Sequence, residues 1–144
     1  MPAPFLDLLS KVEAAAKTVV DGLNLSGLTS NTGIEDESLS LPYAVCKASS
    51  GGEEIVDTGL DRVRLDVVVA SDADAHSLSA HRTRVSTIFD AFRVDDLNET
   101  LGNAVDDFGV VAVHKAGEKS EVEGRKLKNT LELDIVCCAL DLVY

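Results

Sequence analysis

The sequence predicts an α+β domain, with an antiparallel sheet, two main helices packed on one of its faces and a long C-terminal hairpin. Two segments repeat apolar residues at helical spacing, and several others alternate apolar with polar residues. The last two expected strands are joined by a segment too short for a helical crossover, so they must pair antiparallel. The 144 residues fit one hydrophobic core, and with no evident linker we expect a single domain over 1–144.

The first helix is expected over residues 5–23, where apolar residues recur at three- and four-residue steps. Pro4 suits its first turn, and the glycine-containing segment 22–27 ends it. Segment 26–40 is polar, with two glycines and three successive acids, so we expect a loop.

Strands are expected next. A short strand over 42–48 begins at Pro42, which suits a sheet edge or a strand entrance. Segment 49–54 is expected to form a turn or a flexible hairpin tip, and 55–58 to continue as a strand. The clearest strand covers 60–70, with apolar residues on one face and Arg62, Arg64 and Asp66 on the other. Its expected inward residues are Val63, Leu65, Val67 and Val69.

A second helix is expected from about residue 74 to residue 92. Its inner stripe is Leu78, His81, Val85, Ile88, Phe89 and Phe92. Segment 94–108 holds five acids and no base, and 95–103 is expected to form a short helical turn.

The closing hairpin consists of a strand over 109–115, a polar loop over 116–124 and a long strand over 125–143. Alternation predicts that Leu131, Leu133 and Ile135 face the core while Glu132 and Asp134 point outward. From 136 to 140 both faces are apolar, so that end is covered on two sides or contains a bulge.

Two aspartates and a histidine, Asp72, Asp74 and His76, follow the clearest strand at alternate positions and suggest a metal site. Further ligands are missing, because His81 would lie about 140° around a helix from His76 and His114 stands alone on a strand. The simpler interpretation is that Ser71, Asp72 or Asp74 caps the second helix. We therefore predict no metal.

No catalytic motif is found. The sequence lacks G-x-S-x-G, shows no serine–histidine pair with a third partner, and has acids after Gly51-Gly52 where a phosphate loop needs Lys and Ser/Thr. Cys137 and Cys138 are expected to be buried as small hydrophobes rather than to form a redox pair, and an odd set of three cysteines indicates a reducing compartment. We predict no catalytic residue, no cofactor and no enzyme activity.

The net charge of −12, from 13 basic and 25 acidic residues, argues against tight binding to nucleic-acid phosphates, although an acidic wall lets DNA pass. No apolar run is long enough to span a membrane, and the N-terminus lacks the features of a signal peptide. Bases collect around the last hairpin, either as a solvated surface or as a partner patch. With two acids of segment 49–54, the candidate contacts between subunits or layers are Lys115, Lys119, Arg125, Lys126, Lys128, Glu53 and Glu54.

The order of elements and the chain length resemble those of the tail terminator, or tail completion, proteins of long-tailed bacteriophages. The resemblance covers nearly the whole chain. It rests on a short N-terminal helix before "LPYAVCK", the strand "LDRVRLDVVVAS" running into "DADAHSLSAHRTRVSTIFDAF", and a hairpin from "GVVAVHK" to "KNTLELDIVCCAL".

The resemblance implies a structural virion protein of the tail or neck, assembled in the host cytoplasm, with neither catalysis nor a cofactor. It implies a homo-oligomeric ring, usually of six subunits, that ends the tail tube and joins it to the head connector. The implied partners are the tail tube protein and a connector or stopper protein, with DNA passing through unbound. The alternatives are another neck component of the head-completion or stopper type, or a small non-catalytic ligand- or peptide-binding α+β domain.

Overall fold

The structure, a computed structural model, describes residues 4–34, 39–50, 60–74, 77–106 and 108–139. These residues form three helices and five strands. In chain order the elements are α1 (Pro4–Asp21), β1 (Thr29–Thr32), β2 (Tyr43–Ser50), β3 (Asp61–Asp72), α2 (Leu78–Ala91), α3 (Leu97–Ala104), β4 (Phe108–Glu123) and β5 (Lys126–Ala139).

The five strands form one sheet in the order β1-β2-β3-β5-β4. Every neighbouring pair is antiparallel except β1 and β2, which are parallel. This confirms the predicted α+β class, with β4 and β5 as the long hairpin. Strand β1 was not expected, because its four residues are polar and lie in the segment interpreted as a loop.

The helices pack on one face of the sheet. Helix α1 contacts β2 and β3, α2 contacts β3 and β5, and α3 contacts β4 and α1. The main core lies between the helices and the sheet, and it contains the inward residues that the alternation predicted. They are Val63, Leu65, Val67 and Val69 on β3 and Leu131, Leu133 and Ile135 on β5, each at most 2% exposed.

A smaller apolar cluster lies on the opposite face of the sheet, at the end where β2 begins. Tyr43, Val45, Val68 and Ala70 are buried there, and Leu39 and Leu41 pack against them. Pro42 follows a cis peptide bond at the entrance of β2. Of the two positions expected for this proline, the strand entrance is correct, since β2 is an interior strand.

The predicted loop over 116–124 is wrong, because β4 continues to Glu123 and only Gly124 and Arg125 form the turn. Gly124 has a φ of +60°, which glycine adopts without steric cost. Register shifts between Val110 and Ala112 and between Lys115 and Gly117 mark bulges in β4. The irregularity suspected around 136–140 therefore lies in the partner strand.

The predicted cap of α2 is also wrong. Helix α2 begins later than expected, and Ser77 is its N-cap, with Oγ accepting a hydrogen bond from the Ala80 amide at 3.0 Å. Asp72 Oδ1 accepts instead from the Asp74 amide at 2.9 Å, which closes a turn at the end of β3. The later start leaves Leu78 48% exposed, outside the inner stripe.

The rest of the α2 stripe is confirmed, and the short helical turn expected at 95–103 is the two-turn helix α3. The strand expected over 55–58 lies outside the described residues, and so do Glu53, Glu54 and His76.

Candidate functional site

The sheet face that points away from the helices (the distal face) carries a network of ion pairs. Arg64 Nε donates to Asp134 Oδ1 at 2.9 Å, and Arg64 Nη1 lies 3.3 Å from Glu132 Oε2. Lys119 Nζ approaches the same Glu132 oxygen at 3.8 Å. These side chains meet because strand pairing sets Arg64 opposite Asp134 and places Glu132 one pair further along.

Asp66 is the least compensated group of this network. It pairs directly with Glu132 across β3 and β5, and with Lys47 across β2 and β3. Burial, and then the charge of Glu132, raise the pKa of Asp66, while Lys47 opposes the shift. Among the described residues, Asp66 Oδ1 is a buried oxygen without a hydrogen-bond partner. Its ionised form is therefore unfavourable in the isolated chain.

Within the described strands the distal face is balanced in charge. Their register places six basic and six acidic side chains on it. They are Lys47, Arg62, Arg64, Lys119, Lys126 and Lys128, and Asp66, Asp72, Glu121, Glu123, Glu132 and Asp134. The net charge of −12 therefore arises elsewhere, above all from the acids of segments 35–37, 53–57 and 95–107.

The bases expected around the hairpin do not form one patch. Lys115 shares a sheet face with the core and lies 3.4 Å from Glu118, whereas Arg125, at the hairpin turn, meets Asp74 at 3.1 Å. Three others lie on the distal face, where Lys119 meets Glu132, Lys126 meets the Tyr43 hydroxyl at 3.2 Å and Lys128 lies 3.4 Å from Glu123. Their role as contacts to a neighbouring chain stays a prediction.

A buried polar chain between α2 and the sheet was not foreseen. His81 Nε2 lies 2.8 Å from Asn129 Oδ1, and His81 Nδ1 lies 2.8 Å from Ser71 Oγ. Arg84 Nη1 donates to the same Ser71 oxygen at 2.7 Å. A neutral His81 with its proton on Nε2 satisfies every step, since Nε2 donates to Asn129 and Nδ1 accepts from the Ser71 hydroxyl.

The combination of serine, histidine and asparagine also occurs at nucleophilic sites, but this one is closed. Ser71 is 0% exposed and His81 is 2% exposed. A substrate cannot reach the Ser71 hydroxyl while α2 remains on the sheet, and Arg84 already occupies that oxygen. The arrangement therefore holds α2 in place. The sequence did not reveal it because Asn129 is 48 residues from His81 and becomes its neighbour only through the folding of β5 beside β3.

A cavity of about 450 Å³ opens beside β4 under the segment that joins α2 to α3. Its lining includes the core residues Leu131 and Leu133. Val94 and Val111 also line it and are 45% and 55% exposed, so apolar surface is left in solvent. Arg93, another lining residue, forms ion pairs with Asp90 and Glu118 and lies over the Phe89 ring at 5.9 Å.

The predicted burial of the cysteine pair is confirmed for Cys137 but only in part for Cys138. Cys46 and Cys137 are buried, and burial is the main cause that raises the pKa of each thiol to about 12. Cys138 is half-buried and lies on the opposite sheet face from Cys137. All three are free.

Across the ranges that the structure describes, no group of three or more His, Cys, Asp or Glu side chains could hold a metal ion. No helix within those ranges is both long enough and apolar enough to cross a membrane.

Comparison with solved structures finds a similar fold in a virion particle. A chain from the virion of a native gene transfer agent particle matches with a TM-score of 0.54 and 18% sequence identity. The match covers 95% of this chain and 98% of that chain. No family model matches the sequence. No curated protein matches it either.

Proposed function

We propose that this chain is a structural component of a phage-like virion. The observation that carries the proposal is the fold shared with a chain of a gene transfer agent virion over nearly the full length of both chains. Because the match spans 95% of this chain and 98% of that chain, the likeness is one of overall fold rather than of a short common motif. The likeness in fold supports the class of protein by analogy.

Within the virion, the chain forms a ring, of six subunits by resemblance, that ends the tail tube and joins it to the head connector. The sheet supports this role because β1 and β4 are its two edges within the described chain, and they differ in length and composition. Contacts between unlike edges of successive subunits are heterologous and close into a ring when the rotation fits.

The charge distribution supports passage of DNA through such a ring. The chain has a net charge of −12, while the described strands of the distal face are balanced in charge. A channel lined by acidic side chains would not retain DNA, since binding to phosphates requires Lys and Arg that displace counterions. The balanced distal face would suit contact with another protein layer, where complementary charges set the register.

Two alternative functions are also compatible with this fold. Another neck component, of the head-completion or stopper type, would share the virion location and differ in the layer that it occupies. A small ligand-binding domain is favoured by one observation, the cavity beside β4, whose volume of about 450 Å³ falls in the range of roughly 300–1,000 Å³ found for small-molecule sites.

Deletion of the gene for this chain in the producing cells tests the proposal. We expect filled heads and separate tails that fail to join, or tails of uncontrolled length. Supplying the intact chain in trans should restore joined particles. Normal joined particles in its absence would contradict the proposed function, and defective heads with normal tails would favour a head component instead.

A further inference from the structure

We propose that the cavity beside β4 receives the Ile34 side chain of a second copy of this chain. The inference deepens the proposed function, because it names the contact by which one subunit of the ring meets the next. It rests on two apolar features that lie at opposite edges of the sheet.

The first feature is the mouth of the cavity. Val94, between α2 and α3, and Val111, in a bulge of edge strand β4, leave 45% and 55% of their surface in solvent. Leu131 and Leu133 lie beneath them. Exposed apolar side chains that continue into a cavity lined by core residues mark a place where a partner side chain can be buried.

The second feature is Ile34, which is 84% exposed and follows β1 directly. Gly33 has a φ of +81°, and its amide donates to the Cys46 carbonyl at 3.0 Å. Glycine adopts this left-handed conformation without steric cost, and the next residue, Ile34, lies beside Lys47 and Ala48 of β2 with most of its side chain in solvent. Burial of such an exposed aliphatic side chain against a partner is favourable, because it removes apolar surface from water.

A second copy fits better than a small ligand because the two features occupy opposite edges of one sheet. Strand β1 is the first strand and β4 the last in the sheet order, so Ile34 cannot fill the cavity of its own chain. Each copy therefore offers one projecting side chain and one cavity, which is the requirement for a repeating head-to-tail contact.

Two single variants test the contact by complementation. Ile34→Asp removes the projecting side chain and keeps the cavity, while Val94→Asp alters the cavity mouth and keeps Ile34. By sedimentation velocity, the wild-type chain should assemble, each variant alone should be a monomer, and an equimolar mixture should form a 1:1 dimer. Assembly ends at the dimer because the Val94→Asp chain supplies the intact Ile34 and the Ile34→Asp chain supplies the intact cavity. No second contact of this kind can then form.

Matched controls separate this contact from general surface effects. Val122→Asp alters a 69% exposed valine on the same edge strand outside the cavity, and Leu78→Asp alters a 48% exposed leucine on α2. Both should assemble like the wild-type chain. Val111→Asp should reproduce the behaviour of Val94→Asp, and circular dichroism should show each variant folded.

If Ile34→Asp and Val94→Asp each assembled to the wild-type size, the proposed contact would be wrong, although the chain would still form a ring. A mixture that stays monomeric would also overturn it, as would a wild-type chain that is monomeric at every concentration. The gene deletion described above decides the virion role separately from these outcomes.

Discussion

His81 Nε2 lies 2.8 Å from Asn129 Oδ1, although 48 residues separate the two in the sequence. This hydrogen bond joins α2 to β5, and the second ring nitrogen of His81 reaches Ser71 on β3. Replacing the ring removes both links at once: the half-buried Asn129 loses one partner, and the buried Ser71 hydroxyl keeps only its hydrogen bond from Arg84.

We therefore expect His81→Ala to lower the free energy of unfolding by about 1–3 kcal/mol, because the buried Ser71 hydroxyl loses the acceptor of its proton. Chemical denaturation measures the change. Arg82→Ala, at the exposed neighbouring position, should change stability by at most about 0.5 kcal/mol. In a double-mutant cycle, His81→Ala and Asn129→Ala should couple by about 0.5–3 kcal/mol, and strictly additive effects would contradict a direct bond.

The core face of β5 gives a second prediction. Ile135 is 0% exposed within the main core, so Ile135→Ala should cost about 2–5 kcal/mol through lost burial and the cavity left behind. The control is Val122→Ala on the adjacent strand, where the side chain is 69% exposed and the cost should stay below about 0.5 kcal/mol. Equal effects at the two positions would mean that the register of the hairpin is wrong.

The N-terminus of α2 gives a third prediction. Ser77→Ala should destabilise the chain by about 0.5–2 kcal/mol, because the Ala80 amide loses its acceptor. Ser77→Asp, which keeps an acceptor oxygen at the same position, should restore most of the loss. Asp74→Ala should cost at most about 1 kcal/mol, since it removes only the exposed ion pair with Arg125. A larger loss of stability for Asp74→Ala than for Ser77→Ala would contradict Ser77 as the N-cap and favour Asp74.

Asp66 gives a prediction about pH. Because its pKa is raised above the ordinary value of 3.8 in the folded chain, the stability that the protonated form contributes is complete below about pH 4 and is lost as pH rises through the folded pKa. Asp66→Asn cannot ionise, so its Tm should exceed that of the wild type at pH 7, and the difference should shrink as pH falls towards 4.

The control for Asp66 is Ser49→Asn, an exposed neutral position on the same sheet face, which should show no such dependence on pH. A Tm difference for Asp66→Asn that stays constant from pH 7 to pH 4 would contradict the burial of an ionised carboxyl group.

The strands that carry the core were predictable because one of their faces is buried and the other is polar. Val63, Leu65 and Ile135 follow that period of two, and the structure buries each of them. The outer half of β4 lacks the signal, because an edge strand exposed on both faces can be polar throughout. Strand β1 is missed for the same reason, since its polar residues are fixed by pairing with β2.

The candidate site was predictable only in part. The sequence placed Arg64 and Asp66 together on one strand face, but their acidic partners Glu132 and Asp134 became neighbours only through the pairing of β3 with β5. The cap of α2 was misplaced because Ser71, Asp72, Asp74 and Ser77 are all good capping residues, and the end of β3 decides among them. The cavity beside β4 depends on tertiary packing, which the sequence pattern does not specify.

The location of this chain in the particle tests the proposed virion function most directly. Cryo-electron microscopy of intact virions, at a resolution that traces side chains, should place the fold of β1 to β5 with its three helices in a closed ring between the tail tube and the head connector. Density for this chain on the capsid surface, at the tail tip, or nowhere in the purified particle would contradict the proposal.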